Sequence, residues 1–180
     1  MRRSLIALAV FFFFQPWVFS AGPQEAAPPG PLPVSRVYFS PKGGCTLAIF
    51  NAIAQAKSSI LVQAYSFTSA TIADALVNAQ RRGVKVEVII DKKRKRERKG
   101  KIKFLVKSGI PVAVDGEHKK AHDKVMIIDG KTVITGSFDF TKEAEAQDAE
   151  NLLVLDDAVL AAAYTEHWKT HRQHSKPYAS

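Results

Sequence analysis

Between residues 121 and 140 the chain reads AHDKVMIIDGKTVITGSFDF. An imidazole, an ammonium, a carboxylate and a Gly-Ser pair fall there within sixteen residues: His122, Lys124, Asp129, Gly136 and Ser137. An imidazole nitrogen can act as nucleophile or base. A fixed positive charge and a hydroxyl can hold the oxygens of an anion. Together they suit attack on a phosphate.

The flanking residues say how these groups could be gathered. His122 and Lys124 are two apart, so on a strand they project from the same face. Asp129-Gly130 is a turn signal, and a second run of β-formers follows from Thr132 to Thr135. The segment therefore predicts a hairpin with a two-residue loop. If Gly130-Lys131 is the loop, Lys124 lies opposite Ser137. If Asp129-Gly130 is the loop, His122 lies opposite Ser137. Either register collects the three groups on one side of a ribbon.

The rest of the chain predicts alternating strands and helices. Strands are expected at 36–39, 59–65, 84–90, 111–114 and 151–155. Helices are expected at 46–56, 69–82 (closed by Gly83), 102–107 and 156–172, with a helical turn at 142–146. This alternation indicates an α/β sandwich. There is no internal repeat.

A net charge of +9 is concentrated rather than spread. KKRKRERKGKIK, residues 92–103, holds nine basic residues and one acid. Such a block repels itself and is expected to form a mobile loop or a frayed helix start, held at a sheet edge because it follows a clear strand. Lys92, Lys93, Arg94, Lys95, Arg96, Arg98 and Lys99 would grip a polyanion, most simply nucleic acid. No aromatics interleave, so base stacking by this loop is not expected.

The first twenty residues resemble a secretory signal: Arg2-Arg3, then the apolar run Leu5–Phe14, then a cleavage position after Ser20. The run is short for a membrane span, and an uncleaved anchor is the alternative. Residues 21–33 hold five of the nine prolines and read as a spacer. The folded domain is expected at 34–174, secreted or periplasmic. Cys45 is the single cysteine, so no intrachain disulfide can form, and the thiol is expected to be buried. His167 and His171 are four apart on the last helix and His174 follows. That spacing can chelate zinc, but no partnering carboxylate motif is close in sequence. The reading is a polar helix face, with no metal and no cofactor.

The pattern His122-x-Lys124, Asp129, Gly136-Ser137 resembles the HKD motif of the phospholipase D superfamily. YFSPKGGC (38–45), ILVQAYSFTS (60–69), RRGVKVEVIID (81–91) and the segment from Ala149 to Leu152 resemble that superfamily's small single-motif bacterial endonucleases. The resemblance implies an α/β fold in one domain, a mixed β-sheet flanked by helices on both faces. It implies His122 as the nucleophile that forms a phosphohistidine, Lys124 and Ser137 as phosphate ligands, Glu150 as the acid that orients the histidine, and Asp129 as a structural residue. One position departs. The family has asparagine two residues after the serine, where this chain has Asp139. A carboxylate cannot donate to phosphate oxygen unless protonated. Asp139 is therefore expected to be protonated, to pair with a lysine, or to weaken the activity.

In-line displacement needs a nucleophile on one side of phosphorus and an acid on the other. One motif supplies one imidazole, so a symmetric homodimer is expected, with His122 of each subunit facing a shared phosphate. The expected substrate is DNA, with RNA as a second candidate. Membrane contact is expected only through an uncleaved N-terminus. A lipid phosphodiesterase and a nucleic-acid binder with a weakened site are the alternatives.

Overall fold

The computed structural model describes residues 34–179; the expected signal and spacer lie outside them. One mixed sheet of eight strands runs β1-β7-β6-β5-β2-β3-β4-β8. Its strands are β1 (Val34–Ser40), β2 (Ser59–Ala64), β3 (Lys85–Asp91), β4 (Val112–Asp115), β5 (Lys124–Ile128), β6 (Thr132–Gly136), β7 (Glu150–Asp156) and β8 (Lys176–Pro177). β2, β3 and β4 are mutually parallel, whereas β5, β6, β7 and β1 pair antiparallel. The helices are α1 (Cys45–Gln55), α2 (Ala70–Arg81), α3 (Ile102–Lys107), α4 (Lys142–Ala146) and α5 (Ala158–His174). β8 lies beyond the expected domain end at 174.

Period-two alternation in the central strands explains the two cores. On β5, Met126 and Ile128 face the larger core with Ile49, Ile53, Ile72, Leu76 and Leu105 of α1, α2 and α3. Val125 and Ile127 face the smaller core, closed by Ala161 and Trp168 of α5. The sheet is thus covered on both faces, as an α/β domain requires. Trp168 also donates its indole N–H to the Val62 carbonyl at 3.0 Å, pinning α5 across β2. Helix starts follow side-chain capping: Ser69 accepts from the Ile72 amide, Thr141 from Ala144, and Asp157 from Val159 and Leu160. Cys45 is fully buried at the head of α1, where burial first and the Glu145 carboxylate second push its thiol up to about 11. Among the described residues no helix is long and apolar enough to cross a membrane.

The hairpin corrects both registers read from the sequence. Asp129 and Gly130 do form the turn, each in the left-handed region (φ 54 and 62). Lys131 is an extra residue, because its carbonyl is taken by the Asp157 amide at 2.9 Å. Ile128 therefore pairs with Thr132, and Val125 with Thr135. One step further in this register sets Lys124 across from Gly136, between the two alignments considered. β5 also begins at Lys124, so His122 precedes the strand.

Candidate active site

The carboxyl ends of β2, β3 and β6 meet the amino ends of β5 and β7 along one rim of the sheet. Lys124 opens β5 there, paired with the small Ala64 of β2, and is 7 % exposed. Its Nζ donates to the His122 carbonyl at 2.9 Å. It lies 3.1 Å from Nδ1 and 3.2 Å from Nε2 of the same residue. It is also 3.7 Å from Oδ1 of Asp139. A buried ammonium needs an acceptor and a counter-charge, and Lys124 has both. His122 itself is exposed and rests on Tyr65, with ring centroids 4.4 Å apart.

Of the three fates considered for Asp139, the structure shows pairing with a lysine. Asp139 Oδ1 also accepts from the Ser66 amide at 3.2 Å. Burial pushes its carboxyl above the ordinary value, Glu150 adds to that, and Lys124, Ser66 and His122 oppose it without cancelling it. Burial therefore makes this carboxyl easier to protonate than an ordinary aspartate, even with Lys124 beside it.

Ser137 reaches the rim by a different device. Gly136 has φ 151, and a Cβ there would stand 2.3 Å from the Asn151 carbonyl oxygen. Glycine is required at this close approach. The chain turns out of β6, and Ser137 is exposed with its Oγ accepting from the Asn151 amide at 3.1 Å and the side-chain amide at 3.3 Å. Glu150 opens β7 opposite Ser40, and no hydrogen bond joins it to His122 among the described residues. The ring contacts of His122 belong to Tyr65 and Lys124 instead. Asp129 stands at the other end of β5. It binds the amides of Lys57, Ser58 and Ser59 at 2.9, 2.7 and 3.0 Å, so it ties the hairpin to the start of β2.

The basic block differs from its expected form. β3 is flanked by β2 and β4, so the block leaves the sheet's interior rather than an edge. It is a run of turns clasped in place, where a free loop or frayed helix was expected. Its lone acid, Glu97, makes the clasp: it accepts from the Ser66 hydroxyl at 2.7 Å and from Arg94 at 3.1 Å. Arg94 lies over the Tyr65 ring, 4.6 Å from its centroid, and so joins the block to the His122 group. Lys92 donates to the Gly116 carbonyl at 2.6 Å. Lys93, Arg96, Arg98 and Lys99 are exposed, and Lys95 is half-buried. Tyr65, Ser66, Arg94, Glu97 and Asn151 therefore complete a neighbourhood that the motif alone does not name. The one acid in a cationic run was the available signal for the clasp.

The other four histidines are not on a bland helix face. His118, His171 and His174 converge on Asp115 at the end of β4, and His167 approaches Asp123. The partnering carboxylate is remote in sequence, which is why spacing along α5 did not reveal it.

Residues 49–172 match the family model described as cardiolipin synthase, PLD-like domain. The chain is 44 % identical over 130 residues to a phospholipase D of Rickettsia felis, covering 72 % of this chain and 65 % of that one. It is 32 % identical over 114 residues to a mitochondrial cardiolipin hydrolase of Xenopus laevis, covering 63 % and 54 %. It thus spans less than two thirds of these curated relatives. Among solved structures it is similar to Nuc of Salmonella typhimurium, a phospholipase D family member. The TM-score is 0.78 at 40 % identity, covering 82 % of this chain and 99 % of that one.

Proposed function

The chain belongs to the phospholipase D superfamily, and from that membership we propose that it is a phosphodiesterase: a nonspecific endonuclease that needs no obligatory catalytic metal. The observation that carries the reading is the Lys124 ammonium held between exposed His122 and Asp139, at the foot of a clasped cationic block. Phosphate charge is met by that ammonium and by exposed lysines and arginines, which suits a backbone reader that ignores bases.

A ring nitrogen of His122 attacks phosphorus, and the bond to the leaving oxygen breaks. That oxygen takes a proton from a second imidazole, the partner's His122. Water then gives a proton back to that imidazole and its oxygen attacks phosphorus, releasing His122 and a phosphomonoester. Lys124 stabilises the charge that gathers on the phosphoryl oxygens. Ser137 offers its hydroxyl proton to one of them. The second imidazole makes the site a property of a homodimer. Val37 and Phe39 support such a contact: they are 52 % and 63 % exposed on the edge strand β1, and Phe39 is paired with Asn151, the residue that holds Ser137. The apolar leader supports export to a secreted or periplasmic setting.

A lipid phosphodiesterase is the second reading, favoured by the names of the phospholipase D and cardiolipin hydrolase relatives. One experiment separates the readings: incubate the protein in excess chelator with supercoiled plasmid and with phosphatidylcholine or cardiolipin vesicles. Plasmid nicking is expected, falling by at least ~10³-fold in His122→Asn and binding DNA less tightly as salt rises. Vesicle cleavage without nicking would establish the lipid reading. DNA binding without nicking in the parent protein would establish the weakened-site reading. Activity carried by a monomer in sedimentation would end the shared-site mechanism.

A further inference from the structure

We propose that Asp115, His118, His171 and His174 form a structural binding site for a zinc-type dication, separate from the phosphodiester chemistry. Asp115 is fully buried on the α5 side of the sheet, where a bare carboxylate is costly. Among the described residues no lysine or arginine pairs with it. Its side-chain partners are three imidazoles: His171 Nδ1 at 2.8 Å, His118 Nδ1 at 3.0 Å and His174 Nε2 at 3.2 Å, all measured to the same oxygen, Oδ2. The four ligand atoms lie within 4.8 Å of one another. Metal–nitrogen and metal–oxygen bonds of roughly 2.0–2.2 Å place tetrahedral ligands about 3.3 Å apart, so the carboxylate–nitrogen separations are already near that spacing. His118 is 45 % exposed and carried by a loop, so it has room to adjust.

The surroundings of His174 also suit a metal ligand. His174 faces carboxylates with both ring nitrogens: Nε2 meets Asp115 and Nδ1 lies 3.3 Å from Glu117 Oε2. With a metal on Nε2, the N–H sits on Nδ1 and is donated to Glu117. That is the outer-shell carboxylate that metal-bound histidines usually have. Three imidazoles and one carboxylate close a four-coordinate shell, which marks a structural rather than a catalytic centre. Imidazole-rich sets suit zinc, copper, iron and nickel over magnesium or calcium.

The placement has a use. Asp115 ends β4, and the loop that follows carries first His118 and then His122. The same loop is tied at Ala121, whose amide donates to Asp91 at 2.7 Å. A bound ion would fix the loop that presents His122 and hold the end of α5 against β4. It would do so without touching the reacting phosphate.

The test uses the full chain, stripped of metal and titrated with zinc by calorimetry and with cobalt by visible absorption. One equivalent per chain is expected, with the intense bands of four-coordinate cobalt. Zinc at a hundredfold excess over Kd should raise Tm by about 5–10 °C. His118→Ala, on the exposed loop, and His174→Ala should each weaken binding by about tenfold or more, and Glu117→Ala by about tenfold. His122→Asn should bind zinc as the parent does. No stoichiometric binding, or cobalt bands that persist unchanged in the His118→Ala/His174→Ala double variant, would overturn the site. Nicking by the metal-free protein is read separately, so this site and the nuclease reading can fail independently.

Discussion

Four of the five histidines gather around carboxylates and the fifth stands beside an ammonium. The two regions share one rim of the sheet, three strand spacings apart, or roughly 14 Å. Beside His122 stand Lys124, with Asp139 against it, and, across Tyr65, Arg94. Beside His171 stand Asp115 and Asp123. The first setting invites an anion and leaves an exposed ring to meet it. The second invites a cation and closes a buried oxygen against three rings. Imidazole chemistry in this fold is therefore decided by the neighbouring charge, not by the residue type.

The strongest way to break that contrast is Lys124→Met. Nicking should slow by about 10²–10³-fold, while zinc stoichiometry stays at the parent value. Comparable zinc loss in that variant would show that the two regions are one unit.

A smaller change sharpens it. Asp139→Asn removes the carboxylate that, among the described residues, pairs with Lys124, and should raise kcat/KM for plasmid by about tenfold. The sign with pH follows from the upward displacement of the Asp139 carboxyl, caused first by burial. Its protonated fraction grows as pH falls, so the parent should gain on the variant toward acid. A gap that widens toward acid would contradict this assignment.

The smallest effect is expected at Asp129, a carboxylate held by backbone amides without any imidazole. Burial alone would raise its carboxyl, but the amides of Ser59, Ser58 and Lys57 outweigh that and hold it below the ordinary value. Its contribution to stability is then present at neutral pH and lost as pH falls below about 4. Asp129→Asn should cost about 1–2 kcal/mol at pH 7. In thermal melts the difference from the parent should shrink as the solution is taken more acid than that.

Much of this was legible in local patterns. Apolar periodicity placed the main strands and helices, and the spacing of His122, Lys124 and Ser137 pointed to the rim. What local patterns missed was set by distant partners. The hairpin register turned on Asp157 capturing the Lys131 carbonyl. The basic block was ordered by Ser66 and Tyr65. The histidines of α5 needed Asp115, 56 residues from His171. β8 has two residues and no periodicity to detect. Each case depends on a contact that no window along the chain contains.

The pairing of β1 with β7 carries a consequence for how the molecule comes into being. Arg36 and Asp156 meet across 120 residues of sequence, so the first strand waits for almost the last before its ladder can form. High contact order slows folding, because loop-closure entropy must be met before the distant contacts reward it. A nascent chain would stay incomplete until β7 emerges, with an unpaired edge available to chaperones in the meantime.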